Sequence, residues 1–139
     1  MIPKFRAWLK DEKEMQNVLA FDTRGHSFLG IEGPHVTVDG WCDNFEVGKQ
    51  AVLMQSTGMK DKNGVEIFEG DVVSVRNHPF QKTEKSGAGI EIDGDYAISW
   101  NEGDLTWCAG NLLLARLKPY VTVAGNVWEN PELLEPTNE

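Results

Sequence analysis

The sequence predicts a mainly β fold (β or α+β): many short antiparallel strands, with an SH3-like partly open barrel in the second half and a short C-terminal helix. Three observations lead there. Glycine and proline, 14 and 6 residues, are scattered along the 139-residue chain instead of gathering into a linker. Between them lie short runs rich in Val, Ile, Phe and Trp, the residue types that fit a pleated, half-buried surface. Hydrophobic residues make up 40% and charged residues 25%, a globular rather than a disordered composition. A chain of this length buries roughly two-thirds of its unfolded surface, so a single domain over residues 1–139 can build its own core. Within it, residues 1–58 read as an N-terminal β segment and 59–139 as the barrel-like segment.

Residues 4–9 form the first strand, and the charged segment 10–14 can only be a turn. Residues 18–22 return as its partner, with 28–31 and His35–Val38 as weaker strand candidates. Gly33-Pro34 separates those two, since proline donates no ladder hydrogen bond. The apolar run 51–55 is either a buried strand or a helix segment, which periodicity alone does not separate over so short a stretch. Lys62-Asn63-Gly64-Val65 centres a tight turn on Asn-Gly, where both residues readily take positive φ. Glu66-Ile67-Phe68 is a short strand, Glu69-Gly70-Asp71 a second turn, and Val72, Val73 and Val75 mark a β-branched strand. A polar loop covers 77–89. Ile90-Glu91-Ile92, a hairpin turn at Asp93-Gly94, the alternating 96–100, a turn at 101–104 and 105–108 then make a meander of the kind that closes toward a barrel. Residues 120–124 form the last strand, with a turn at Gly125-Asn126. Asn130 caps a helix whose first position is Pro131; Pro136 ends it after barely a turn, and Leu133 and Leu134 dock on the sheet. The five tryptophans, Trp8, Trp41, Trp100, Trp107 and Trp128, are expected mostly in the core, because each buries a large area.

Charge narrows the function. Against 13 Lys and Arg stand 22 Asp and Glu, a net charge of −9. Residues 86–139 hold 9 of those acids and only Arg116 and Lys118 as bases. Duplex nucleic acid is bound by clustered Lys and Arg, so this balance argues against such a role. Lys60, Lys62, Arg76, Lys82 and Lys85 are candidates for a local basic patch, interleaved with Asp61, Glu66, Glu69 and Glu84 as on an ordinary mixed surface. No run of about 18 apolar residues could cross a membrane as a helix. The opening residues carry no apolar core of a signal peptide, and Cys42 and Cys108 are too few for a secreted scaffold, so a reducing cytoplasm is the expected compartment.

The catalytic inventory is thin. There is no Gly-x-Ser-x-Gly elbow and no Walker loop, and Ile92 stands where Gly87-Ala88-Gly89 would need a third dinucleotide glycine. His26, His35 and His78 lie on separate segments, and with Cys42 they show none of the short zinc-ligand spacings. Nothing local marks Cys42 as a nucleophile. Glu91, Asp93 and Asp95 are explained by a hairpin more simply than by calcium. No catalytic residue, metal or cofactor is expected, and the protein is read as no enzyme.

Two segments and the opening carry a resemblance. The run from Leu53 to Val73, with Met54-Gln55-Ser56-Thr57-Gly58-Met59-Lys60-Asp61-Lys62-Asn63-Gly64 followed by Phe68-Glu69-Gly70-Asp71, resembles the YopX family of small bacteriophage and prophage proteins. So do Ala124-Gly125-Asn126-Val127-Trp128-Glu129-Asn130-Pro131-Glu132-Leu133-Leu134 and the start Lys4-Phe5-Arg6-Ala7-Trp8. Departures are mild: Ser56, Phe68 and Trp128 each replace a tyrosine and Met59 a leucine. The resemblance implies a mainly β fold and a phage-derived origin, and it brings no activity with it.

The matched residues allow two readings. In one, Gly58, Asn63, Gly64, Gly70, Gly125, Asn126, Asn130 and Pro131 serve turns and caps. In the other, Lys60, Asp61, Lys62, Glu69, Asp71 and Arg76 edge a binding groove on the barrel. The expected role is a non-enzymatic accessory protein, homo-oligomeric, which engages a host or phage protein through strand edges or its acidic last third. The alternative is a single-stranded nucleic-acid binder that uses an aromatic sheet face. Nucleic acid is disfavoured by the acidic balance, and no membrane is expected.

Overall fold

The computed structural model describes residues 3–76 and 93–134. The chain divides into two compact units, Met1–Ser56 and Thr57–Glu139. Both are mainly β, with antiparallel ladders throughout.

In the first unit, β1 (Phe5–Leu9), β2 (Glu14–Asp22), β3 (His35–Val38), β4 (Asn44–Glu46) and the start of β5 (Ala51–Lys60) pair in the order β4-β3-β2-β1-β5. β1 alternates as a strand with one covered face must: Ala7 and Leu9 are buried, while Arg6 and Trp8 between and beside them are half-buried. β2 is long enough to serve both neighbours. Its first half pairs with β1 (Arg6 opposite Asn17) and its second half with β3 (Asp22 opposite His35). The register shifts between Val18 and Ala20, and Leu19 at that irregularity is 68% exposed. Ala7, Leu9, Val36, Val38, Phe45 and Ala51 form the core of this unit.

Two sequence expectations change here, and one strand is new. Residues 28–31 are not a strand: Ser27–Leu29 is a 3-10 turn in a loop closed by His26 and Ile31, whose amide and carbonyl groups bond at 2.7 and 3.1 Å. Phe28 at its tip is 96% exposed, so its apolar character carries no strand signal. The segment 10–14 gives up Glu14 to β2. β4 had no expectation, because Asn44-Phe45-Glu46 offers one apolar residue between two polar ones.

In the second unit, the end of β5 pairs with β6 (Glu66–Phe68), and a sheet follows with order β10-β9-β8-β7-β11. Its strands are β7 (Asp71–Val75), β8 (Gly94–Asn101), β9 (Thr106–Ala109), β10 (Leu112–Leu113) and β11 (Val121–Asn126). Between β10 and β11 the chain makes the one-turn helix α1 (Leu114–Leu117) and a 3-10 turn (Lys118–Tyr120). A single turn is not stable alone. It is held because Leu114 and Leu117, three residues apart on one face, are buried with Ile67, Val73, Val75, Ile98, Ala109 and Val121.

The run 51–55 resolves as strand, extended to Lys60. Gly94 belongs to β8 opposite Val75 instead of turning a hairpin. Gly125 and Asn126 are likewise in β11, opposite Val72 and Asp71, beyond a register shift that passes Ala124. Pro131–Leu134 is a 3-10 turn and not an α-helix, with Leu133 half-buried and Leu134 43% exposed. Both Gly-containing dipeptides carry the composition of turns, but cross-strand pairing overrides it. The expected loop at 77–89, the strand at 90–92 and the stop at Pro136 lie outside the described residues.

The tryptophan expectation is corrected too. None of the five belongs to the buried core, and Trp41, Trp100 and Trp128 are 37%, 40% and 38% exposed.

Candidate functional site

The run 60–71 is built around two carboxylates. Asp61 opens a three-residue loop: its amide donates to the Val65 carbonyl at 2.8 Å, and the Gly64 amide donates to its own carbonyl at 3.0 Å. Gly64 takes φ +84°, the left-handed residue such a loop requires, while Asn63 keeps negative φ, contrary to the Asn-Gly expectation. The Asp61 side chain completes the turn. Oδ1 accepts the Asn63 and Val65 amides at 2.8 and 2.9 Å, and Oδ2 accepts the Val123 amide of β11 at 2.9 Å. Burial to 6% exposure pushes this carboxyl up, but the amides of Val123, Val65 and Asn63, helped by Lys62, outweigh it and hold it below the usual carboxylate range. Asp61 thus satisfies a backbone donor of the sheet's terminal strand, β11.

Asp71 plays a parallel part at the next turn. It is 2% exposed and its Oδ2 accepts the Phe68 amide at 2.8 Å across Glu69-Gly70, with Gly70 at φ +85°. The Gly70 amide donates to Ile98 on β8, and its carbonyl accepts the Val127 amide, each at 2.9 Å. Gly58, inside β5, also holds positive φ, +78°.

The six candidate binding residues therefore do not line one groove. Lys62 and Arg76 flank the start of β11: the Lys62 amide donates to Val121 and the Arg76 amide to Tyr120, at 3.1 and 3.2 Å. Lys60 and Lys62 are exposed. The Arg76 guanidinium donates to the carbonyls of Val75 and Gly94 at 2.7 and 3.2 Å and pairs with Asp95 at 3.5 Å. Glu69 and Asp71 lie at the other end of β7, a strand about 13 Å long at the usual rise.

The second motif is a knot of amides. Asn126 Oδ1 accepts the Trp128 and Glu129 amides at 3.0 and 2.8 Å, and its side-chain amide donates to Glu129 Oε1 at 2.9 Å. The Asn130 amide donates to the Asn126 carbonyl at 2.9 Å, and Asn130 Oδ1 receives the Asn126 amide at 3.3 Å. Asn130 thus reaches back to β11. Pro131 opens the 3-10 turn behind it. Gly125 leaves room for Asn130, because a Cβ there would run into the Asn130 side chain.

What sequence reasoning missed is a surface. Trp100 and Trp107 face each other across the β8–β9 ladder, ring centroids 5.2 Å apart and inclined 70°, an edge-to-face pair. Trp107 also packs against the core, while Trp100 leaves 40% of its surface in water. The turn beyond them holds the exposed Glu102 and Asp104 and ends on Leu105, 69% exposed at φ +51°, a conformation that a leucine resists. The alternation of 96–100 announced the strand, but not which tryptophan would overhang the core.

The first unit offers two open clefts. One, of about 530 Å³, runs past Phe21, Asp22, Arg24, His35 and Asn44. Another, of about 650 Å³, is lined by Leu29, Cys42, Asp43, Glu46 and Lys49 among others. Its most buried charge is structural. Glu46 accepts the Glu32 amide at 3.1 Å and pairs with Lys49 at 3.2 Å, and these contacts hold its carboxyl low against the opposing effect of burial. Among the described residues, no three His, Cys, Asp or Glu converge in a geometry that could hold a metal, and no helix is long and apolar enough to cross a membrane.

Comparison with known proteins follows this architecture. A family profile described as "YopX protein" matches residues 4–135, nearly the whole chain. A search of curated proteins finds no match. Among solved structures, the crystal structure of protein EF1440 from Enterococcus faecalis is similar at 29% identity over 97% of this chain and 99% of that chain, with a TM-score of 0.58.

Proposed function

Because the chain belongs to the YopX family, we propose that it is a phage- or prophage-encoded accessory protein of the bacterial cytoplasm. It performs no chemistry of its own and acts as a homo-oligomeric protein-binding module, its second unit a partly open SH3-like barrel. The observation that carries this reading is the placement of the tryptophans. Aromatic side chains held in water by rigid strands are characteristic anchors of protein interfaces, where they bury large areas at small entropic cost. Trp100 meets that description, with Trp107 packed edge-to-face against it. The carboxylates Asp61 and Asp71 support it from the other side, since backbone amides engage them.

The same aromatic pair is what favours the second reading, a single-stranded nucleic-acid binder that stacks bases. The acidic balance opposes it, because phosphates need a basic groove. The test is a tagged pull-down from host cells carrying the phage, divided with and without nuclease. A stoichiometric protein that survives nuclease supports the module. Enriched nucleic acid, with proteins lost on digestion, overturns it in favour of the second reading.

A further inference from the structure

The register of the second unit sorts its exposed charges by sheet end. At one end lie the start of β7, the end of β8 and the end of β11: Val72 pairs with Ala97, and Asn126 with Asp71. Gly70 bonds to Ile98 and Val127 there, so the turns 69–70, 102–105 and 127–129 project from this same end. The 3-10 turn Pro131–Leu134 lies against β8. This end carries Trp100, Leu105, Glu102, Asp104, Glu129 and Glu132, all exposed.

The bases lie elsewhere. Lys62 and Arg76 bond to Val121 and Tyr120, where β11 begins, and Lys118 is two residues upstream. Arg116 rides on α1, between β10 and β11 in the chain, and Lys60 ends β5 two residues before Lys62. Among the described residues, the turns at the aromatic end therefore carry acids and no lysine or arginine.

We propose that this end is a docking surface for a basic, Lys- or Arg-bearing segment of a partner protein. The proposal rests on the protein-binding reading above and names the chemistry of its partner. An Arg or Lys head group over the exposed part of Trp100 gains cation–π attraction, and carboxylates on the adjoining turn supply its counter-charge. The edge-to-face contact with Trp107 limits how the Trp100 ring can turn, so it is presented already oriented. The same carboxylates repel phosphate, which separates this occupant from a nucleic-acid strand. Leu105 adds apolar area beside them at a backbone conformation unfavourable for its own stability.

The probe is a fluorescein-labelled nonapeptide of alternating arginine and glycine, titrated by anisotropy into the full-length protein at low and physiological salt. Saturable binding is expected, weakened about three- to five-fold by Trp100→Ala. Glu102→Gln/Asp104→Asn should weaken it by a similar factor and flatten its salt dependence. Leu105→Gly should lower affinity while raising thermal stability, a combination that misfolding cannot produce. Asp11→Asn/Asp39→Asn removes the same charge from the first unit and should leave binding within about two-fold. Failure to saturate, or equal weakening by both charge pairs, overturns the proposal. So does preference for a labelled oligothymidylate, or self-association that Trp100→Ala abolishes, which would make the occupant a second copy of this chain. If the pull-down yields a stoichiometric protein that these variants capture unchanged, the docking surface is refuted while the protein-binding reading survives.

Discussion

Asp61 joins two distant parts of the second unit, since it closes a loop and supplies an acceptor to β11 from 62 residues away. Removing it leaves three amides without their partner. At about 1.5–3 kcal/mol for a hydrogen bond to a charged group, with part recovered by water, Asp61→Ala should cost about 3 kcal/mol in urea denaturation. Asp61→Asn should lie between, because an amide side chain offers one oxygen where the carboxylate offered two. The pH dependence follows in sign. The folded carboxyl is held below its unfolded value, so its contribution is complete above the unfolded pKa and is lost as pH falls through the folded one. The wild type should therefore lose stability on acidification below about pH 4, and Asp61→Ala should lose less over the same range. A parallel acid limb in both proteins would sink this assignment. Gly125 makes a second case. Gly125→Ala drives a Cβ into the Asn130 side chain, so it should destabilise, and Asn130→Ala in the same chain should recover part of the loss as a favourable coupling in a double-mutant cycle. The Asp-x-Asn-Gly spacing marks a turn, but that Asp61 also reaches β11 depends on a pairing between distant segments.

Single elements were legible where one physical signal dominated. His35–Val38 and Glu66–Phe68 appear with the expected bounds, each a short alternating or β-branched run between turn residues. Where local chemistry and tertiary pairing disagreed, pairing won. Gly125-Asn126 and Asp93-Gly94 look like turns in isolation, yet Asn126, Gly125 and Gly94 sit in ladders opposite Asp71, Val72 and Val75. The helix α1 went unseen for the opposite reason. Leu112-Leu113-Leu114 gives no periodicity, and one turn has no intrinsic stability to read. Its existence is a packing event, which makes it testable. Leu114 is fully buried among Val73, Ile98 and Val121 and should cost about 2–5 kcal/mol when cut to alanine. The exposed Ala115 on the same turn provides the contrast: Ala115→Ser should cost less than about 0.5 kcal/mol. If both substitutions were equally mild by urea denaturation, α1 would not be anchored through its buried face.

At the scale of the whole molecule, composition announced a globular β protein and charge announced an acidic last third, but neither announced two cores. One centres on Leu9, Val36 and Phe45, the other on Ile67, Ile98 and Leu114, and they have no member in common. A count of apolar residues cannot divide a core in two, because the division lies in which strands pair. It does fix what mutations in the two cores should do together. Leu9→Ala and Leu114→Ala remove side chains from clusters that share no member among the described residues, so their destabilisations should add within about 0.5 kcal/mol in the double mutant. Each should also leave its mark locally. Hydrogen exchange should accelerate first in β1 and β3 for Leu9→Ala, and first in β7, β8 and β11 for Leu114→Ala. If either substitution raised exchange equally across all these strands, the two cores would open as one cooperative unit.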